Sequence, residues 1–496
     1  MQELDWIGNR ARLTPEAEAV ADAARKKTWS YAELNQRSTA AAAWLLKRGI
    51  QKGDRVALLA PNHICYFDLF FACAKIGAIF VPINWRLAGE EIEYILQDCT
   101  PKLAGVHPSF RGRMEDIPFL QTIYFAVERE EYLENTEWIP VEAKLSSLDP
   151  LAIIYTGGTT GKAKGVVLSY QSIFYNAVNT IMSWNLTSHD VTITYMPLFH
   201  TGGLNALSIP LLLIGGKVVL ADDYRPEEAV RYLIDYQCTI ILLVPTMYHM
   251  MIRTEVFQKQ TFSPSIVFLS GGAPCPLEIY AEFERKGLQF KEGYGLTEAG
   301  PNNFYMDLQK VHGKRGSVGQ PMLLNEVKII RTDGSETAPD ETGELLLKGK
   351  HLFTSYWNNA EATAEVLHFG WLHTGDLARR DRDGFYYIAG RKKDMIITGG
   401  ENVYPLEVEH WISSLPQVSE TAVVGIPDAK WGEKVTAFIV LQNKTSLTLE
   451  ELKQHCQVKL GSYKIPKEII FLKELPKTPV GKIDKNQLKQ FGMKQV

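Results

Sequence analysis

The run Tyr155-Thr156-Gly157-Gly158-Thr159-Thr160-Gly161-Lys162-Ala163-Lys164-Gly165 directly follows the apolar residues Leu151 to Ile154. Glycines let backbone N–H groups approach an oxyanion, threonine hydroxyls donate to it or reach a magnesium ion, and lysines offset its charge. The run therefore reads as a phosphate-binding loop. The G-x-x-x-x-G-K-[ST] spacing of the common nucleoside-triphosphatase loop cannot be laid on Gly157, Gly158 or Gly161. The loop points instead to ATP held by different machinery.

Four other segments carry residues of the right type. In Gly293-Tyr294-Gly295-Leu296-Thr297-Glu298 an aromatic ring between glycines could stack on a base, and Glu298 is the single carboxylate that magnesium on a nucleotide asks for. Equally, Tyr294 could be a core aromatic and Glu298 an exposed helix-start residue. Ser270-Gly271-Gly272-Ala273-Pro274 follows a strand-like run and leaves room for a flat ligand, although Gly-Gly turns are common. Trp371-Leu372-His373-Thr374-Gly375-Asp376 offers a carboxylate to ribose hydroxyls, and Arg391 could join it, or the two could form an ordinary ion pair. Near the end, Pro476-Lys477-Thr478-Pro479-Val480-Gly481-Lys482-Ile483 holds Lys482 after a proline-braced turn, as a reaching cation or as a surface lysine.

These residues must be positioned by a large framework. The chain has 496 residues, 45% of them hydrophobic, which is enough for more than one domain. A net charge of −4 with both signs dispersed gives no basis for nucleic-acid or membrane-surface affinity. Glu3 and Asp5 near the start argue against a secretory or transit segment, so the expectation is a cytoplasmic protein. Tyr66 to Ile83 is the most membrane-like stretch, but Asp68 and Lys75 interrupt it, and it suits a buried helix leading into a strand. The cysteines at 65, 73, 99, 238, 275 and 456 form no C-x-x-C pair, and no H-E-x-x-H occurs, which disfavours structural zinc, disulfides and a zinc hydrolase.

Strand-like runs Arg55 to Leu59, Ala78 to Ile83, Ile153 to Tyr155, Val218 to Ala221, Ile240 to Val244 and Ile266 to Leu269 alternate with helical patterns, which implies two layered α/β subdomains. Ser30-Tyr31-Ala32-Glu33 has the form of a capping box. From about 315 to 390 the pattern turns to strands and glycine turns, a β-rich subdomain. The polar run Gly390-Arg391-Lys392-Lys393-Asp394 marks a boundary, giving a domain 1–390, a hinge 391–394 and an α+β domain 395–496. In the last, Leu452, Cys456 and Leu460 recur at one helical face after Thr448 and Glu451. The fold class is thus α/β, with a smaller α+β C-terminal domain.

In their order and distances, the loop at 155 to 166, Gly293 to Glu298, Gly370 to Asp376, Gly390 to Asp394 and Gly481-Lys482 resemble the adenylate-forming superfamily that includes acyl-CoA synthetases, firefly luciferase and peptide-synthetase adenylation domains. The resemblance spans essentially the whole chain. It implies an enzyme that uses ATP and Mg2+ to convert a carboxylic acid to an acyl-adenylate and pyrophosphate, then transfers the acyl group to a thiol. It implies that Thr156, Gly157, Gly158, Thr159, Thr160, Gly161 and Lys164 hold the phosphates, with Thr160 and Glu298 toward the metal. Gly271, Gly272 and Ala273 with Gly293, Tyr294, Gly295 and Thr297 would frame adenine, Asp376 and Arg391 would bind ribose, and Lys482 would bridge the acid and the α-phosphate. Lys393 would be the pivot about which the C-terminal domain swings to bring Gly399 and Gly400 to the pantetheine tunnel. Two residues depart from the family pattern: Gly157 replaces a serine and Ala163 a proline.

His200, in Pro197-Leu198-Phe199-His200, would stand at the mouth of the acyl pocket, and the following Leu204 to Ile214 is almost wholly apolar. Gly293 stands where malonyl-specific relatives carry arginine. Lacking a fixed cation there, the pocket would reject a second carboxylate, so a medium- to long-chain fatty acid is expected first and an aromatic acid, succinylbenzoate- or coumarate-like, second. CoA is expected as the acceptor, with a separate carrier protein as the alternative, and the protein as monomer or homodimer.

Overall fold

The computed structural model describes residues 4–110, 112, 123–126, 130–133, 144–157, 162–443, 445–478 and 483–494. Gly158, Thr159, Thr160, Gly161 and Lys482 lie outside the described residues.

The capping box forms: Ser30 Oγ accepts from Glu33 N and the Glu33 carboxylate accepts from Ser30 N, opening helix Tyr31–Lys47. That helix packs on Cys65–Ile76, every residue of which is buried. The membrane-like stretch is therefore a core helix, followed by strand Ile79–Pro82, and no helix among the described residues is long and apolar enough to cross a membrane. The two charges that interrupt it are both paired. Asp68, fully buried, accepts from Arg37 Nε at 2.9 Å and Nη2 at 2.7 Å and from the Tyr132 hydroxyl at 2.9 Å. Lys75 donates to Asp5 at 2.7 Å.

Around these helices lie the sheets of the first two subdomains. One has seven strands, in the order Ser355–Tyr356, Lys164–Ser169, Pro150–Thr156, Ile79–Pro82, Arg55–Leu59, Leu103–Val106, Ile123–Ala126. It is parallel from Pro150–Thr156 outward to Ile123–Ala126 and antiparallel at the other edge. Opposite it are a four-stranded sheet, Lys27–Ser30, Glu18–Asp22, Lys217–Leu220 and Val191–Thr194, and a wholly parallel three-stranded one, Ile240–Leu243, Val267–Ser270 and Gln289–Glu292. The β-rich part is an antiparallel sheet built on Glu326–Ile330, Thr342–Lys348, Trp371–Arg380 and Tyr386–Arg391. Strand Tyr386–Arg391 is followed by the short 3-10 turn Lys392–Asp394, and the next strand, Ile396–Thr398, belongs to the C-terminal sheet. The long strands Val418–Asp428 and Gly432–Leu441 of that sheet have apolar clusters on both faces: Val408, Ile412, Leu452 and Cys456 on one, Ile426, Phe438 and Leu488 on the other. The C-terminal part thus owns its core.

Leu204 to Ile214 has a packing role of its own. The stretch forms a π-helical turn, Leu204–Ser208, running into helix Ile209–Ile214, and Leu204, Leu207, Ile209, Leu211 and Leu212 are each at most 4% exposed within the main core. Its apolarity is accounted for by packing and does not by itself call for a fatty tail.

The Arg37–Asp68 pair yields a stability prediction. Asp68→Ala leaves the buried Arg37 guanidinium with Glu130 alone, whose carboxylate accepts from Nη2 at 2.8 Å, and should cost about 3 kcal/mol, whereas replacing Arg37 and Asp68 together by apolar residues of similar volume should cost less. Urea midpoints of the two variants check this; equal losses would mean the pair is not what the helix packing requires.

Candidate active site

The antiparallel register Thr156↔Lys164 and Tyr155↔Gly165 sets the two described ends of the glycine-threonine run side by side, as a hairpin base in the seven-stranded sheet. Gly157 is exposed and its Cα has open space where a Cβ would stand. Gly165 is confined: a Cβ would come within 2.8 Å of Ile153 and 3.2 Å of the Trp357 Cβ. The base of the hairpin is fastened by contacts that carry no local sequence signal. Trp357 N donates to Gly165 O at 2.7 Å, Trp357 Nε1 donates to Asp98 O at 3.1 Å, and the Tyr155 hydroxyl donates to Asp98 Oδ2 at 2.5 Å.

Beside the hairpin stands Glu298. It is the middle residue of the short turn Thr297–Ala299 and is half-buried, and its Oε1 accepts from the Tyr356 hydroxyl at 2.8 Å. Lys164 Nζ lies 5.0 Å from the centroid of that same Tyr356 ring. Tyr356 thereby links the hairpin lysine to the carboxylate; its hydroxyl is pushed up by burial and then by Glu298, so it stays a donor. Nothing near Tyr356 in the sequence pointed to it.

The second carboxylate is Asp376. Across the β-rich sheet it pairs with Arg391, whose Nε donates to Oδ1 at 2.8 Å, while the Tyr294 hydroxyl donates to Oδ2 at 2.5 Å. Thr374 Oγ1 braces the Asp376 backbone N–H at 3.0 Å. Arg391 lies in the field of both Asp376 and Glu298, so the two carboxylates belong to one crevice. Glycine makes this close approach possible at Gly295, where a Cβ would stand 2.2 Å from the Pro301 carbonyl. Gly271 and the left-handed Gly272 (φ 83°), with Ala273, follow strand Val267–Ser270, and Gly293 N donates to Ser270 O at 2.8 Å, which sets the glycine runs side by side.

His200 caps the next turn, its Nδ1 accepting from Gly202 N at 3.1 Å. The preceding segment is held by Asn62, which accepts from Leu198 N at 2.9 Å and donates to the carbonyls of Thr194, Met196 and Ala221. Gly399 and Gly400, both left-handed (φ 60° and 85°), form the two-residue turn between Ile396–Thr398 and Glu401–Val403. Lys393 is exposed in the connecting turn.

An AMP-binding enzyme family model matches residues 8–357, and the model of the AMP-binding enzyme C-terminal domain matches 407–482. The chain belongs to the AMP-binding enzyme family. Within the adenylate-forming superfamily it falls in the branch of acid–thiol ligases. Feruloyl-CoA synthase of Amycolatopsis sp is 35% identical over 496 aligned residues, 98% of each chain. A long-chain-fatty-acid–CoA ligase of Mycobacterium tuberculosis is 32% identical over 99% of this chain and 98% of its own. Among solved structures, o-succinylbenzoate CoA synthetase of Bacillus subtilis in complex with its acyl-adenylate intermediate superimposes with a TM-score of 0.89 at 32% identity, covering 98% of each chain.

One buried acid of this family member is unlike the two crevice carboxylates. Glu292 faces away from the glycine runs, accepts from the Tyr280 hydroxyl at 2.7 Å and Cys275 N at 3.1 Å, and burial pushes its carboxyl up to about 7 from 4.5. Between those two values Glu292 keeps a proton in the folded chain that it has lost in the unfolded one, so its own contribution to stability falls as pH rises from 4.5 to 7, against the opposite slope of the buried His63 and His351, which burial lowers to about 4. Glu292→Gln should remove that slope and raise stability at pH 8 by about 3 kcal/mol. Urea titrations at pH 5 and pH 8 check it, and an unchanged slope would place the proton elsewhere.

Proposed function

We propose that the protein is an ATP-dependent acid–CoA ligase that joins an aromatic carboxylic acid to CoA through an acyl-adenylate. The observation that carries this reading is the crevice in which Arg391 lies between Asp376 and Glu298, each carboxylate tied to a tyrosine hydroxyl, with the Lys164 hairpin alongside. Asp376 accepts from the ribose hydroxyls and Tyr294 covers the adenine against Gly271 to Ala273. Lys164 and the N–H groups of the hairpin take the β- and γ-phosphates.

Glu298 fits a magnesium ion. It is a hard oxygen donor with one oxygen engaged by Tyr356, and a single carboxylate beside phosphate oxygens is the set magnesium prefers. The ion when bound offsets charge on the departing pyrophosphate. Carboxylate attack on a phosphate meets charge repulsion, and a cation brought to the forming bond, the role this reading gives Lys482, would lower that barrier electrostatically. Turning about Lys393 would exchange Lys482 for the Gly399-Gly400 turn, whose lack of side chains admits the pantetheine arm.

The feruloyl- and succinylbenzoate-handling relatives favour an aromatic acid. A fatty acid is the second reading, favoured by the fatty-acid ligase at 32% identity. Six buried free thiols suit a reducing compartment such as the cytoplasm.

Purified protein given ATP, magnesium and an acid panel should release AMP and pyrophosphate only with an acid present, and acyl-CoA should appear when CoA is added. No acid-dependent AMP with any acid would sink the ligase reading. Lys482→Ala should slow adenylation by roughly 10²–10³-fold and leave acyl transfer from a preformed acyl-adenylate within a few-fold. Lys393→Pro, which fixes φ at the pivot, should impair acyl transfer more than adenylation; equal losses in both half-reactions would argue against a pivot at 393.

A further inference from the structure

Three cations are buried among the described residues: Arg37, Lys75 and Lys291. The first two are paired with Asp68 and Asp5. Lys291 is 4% exposed, and among the described residues no carboxylate or hydrogen-bond acceptor reaches its Nζ. The ammonium lies instead 4.3 Å from the centroid of the Trp184 ring and 5.9 Å from that of Tyr305. Its neighbour in sequence, Glu292, cannot neutralise it, because strand alternation sends that carboxylate through the opposite face to Tyr280 and Cys275. Burial alone pulls the Lys291 ammonium down to about 8.

The face that Lys291 shares is the face of the crevice. It stands in register with Leu269, and Leu269 with Leu242. Leu269 Cδ1 lies 3.3 Å from where a Cβ on Gly293 would be, and Leu242 Cδ1 3.1 Å from one on Gly271. Gly293 follows Lys291 on that face, about 7 Å along the strand. Trp184 Nε1 donates to Phe304 O at 3.4 Å, and the Phe304 ring packs 5.8 Å from that of Tyr294. The cation absent at Gly293 is thus supplied two residues earlier, which removes the argument for excluding acids with a second polar end.

We propose that Lys291 is a specificity-determining residue whose ammonium receives an acceptor oxygen, phenolic or carboxylate, at the end of the acid distal to the reacting carboxyl. Trp184 and Tyr305 form the aromatic wall of that subsite. This rests on the acid–CoA ligase reading. An unpaired buried ammonium is costly, and a ligand oxygen provides the partner that the fold withholds. An acid ending in a methyl group or an unsubstituted ring leaves the ammonium as it was and gains nothing.

The test compares cinnamate, 4-hydroxycinnamate, 2-succinylbenzoate and dodecanoate as substrates of the wild-type enzyme, Lys291→Met and Lys291→Arg, measured by AMP release and acyl-CoA formation. In the wild type, kcat/KM for at least one acceptor-bearing acid should exceed that for cinnamate by about tenfold or more, within the range a built hydrogen-bonding site achieves; which acid it is distinguishes the phenolic from the carboxylate oxygen. Lys291→Met should collapse that ratio toward one, mainly through KM, while Lys291→Arg keeps part of it. The thermal midpoint of Lys291→Met should not fall, since an uncompensated buried charge has been removed. An equal loss on all four acids, an unchanged ratio, or a wild type that turns over dodecanoate with no preference for an acceptor overturns the proposal and leaves the ligase reading standing. A wild type that releases no AMP with any acid overturns that reading and this one with it.

Discussion

The crevice is organised around the Asp376 carboxylate. It is 5% exposed, and its two oxygens are taken by Arg391 across the sheet and by Tyr294 from the loop after the third parallel strand. One group therefore ties the β-rich sheet to the parallel sheet, at the residue immediately before the connection to the C-terminal sheet. A carboxylate so buried needs both partners, because losing either leaves charge or a strong acceptor unmatched in a medium that screens poorly. Tyr294 in turn fixes its ring, so orientation of an aromatic face and presentation of a carboxylate are the same interaction.

Glu298 repeats the device with Tyr356 and places Lys164 on the other side of the same ring. The two carboxylates have one guanidinium near them, paired with Asp376 and in the field of Glu298, which leaves a net charge of −1 before the hairpin lysine is counted. That balance suits hydroxyls and a hard cation at the two acids and phosphate oxygens at the hairpin. The order of the binding surfaces along the crevice is thus set by which strand end each acid occupies.

Much of the framework was legible in the sequence because its signals are local. The boxes at Ser30 and Thr448, the buried helix Cys65–Ile76 within the stretch flagged as membrane-like, and the helical face of Leu452 and Cys456 each depend on residues within a turn or two of one another. Strands such as Arg55–Leu59 and Ile240–Leu243 fall where the strand-like runs put them. The fastenings of the site were not legible. Trp357 reaches Asp98 across 259 positions of chain, and Asn62 holds carbonyls more than a hundred residues away; no window of sequence contains both ends. Composition also left Leu204 to Ile214 undecided, because an apolar run looks the same whether it lines a cavity or fills a core.

The dipeptide Lys291-Glu292 shows how far alternation governs function here. In a helix or a turn, adjacent opposite charges could meet at the surface; in a buried parallel strand they are sent to opposite faces and each must be satisfied alone. Glu292 meets an environment with donors to offer, the Tyr280 hydroxyl and the Cys275 N–H, and can also shed its charge by taking up a proton. Among the described residues the Lys291 ammonium meets the faces of Trp184 and Tyr305, and even drawn down to about 8 it is still largely charged at neutral pH. The two faces differ in what they leave unfinished. On the core face the charged group, Glu292, has partners in the chain, whereas on the crevice face Lys291 has none among the described residues, and that asymmetry is what separates a surface built for packing from one built for a ligand.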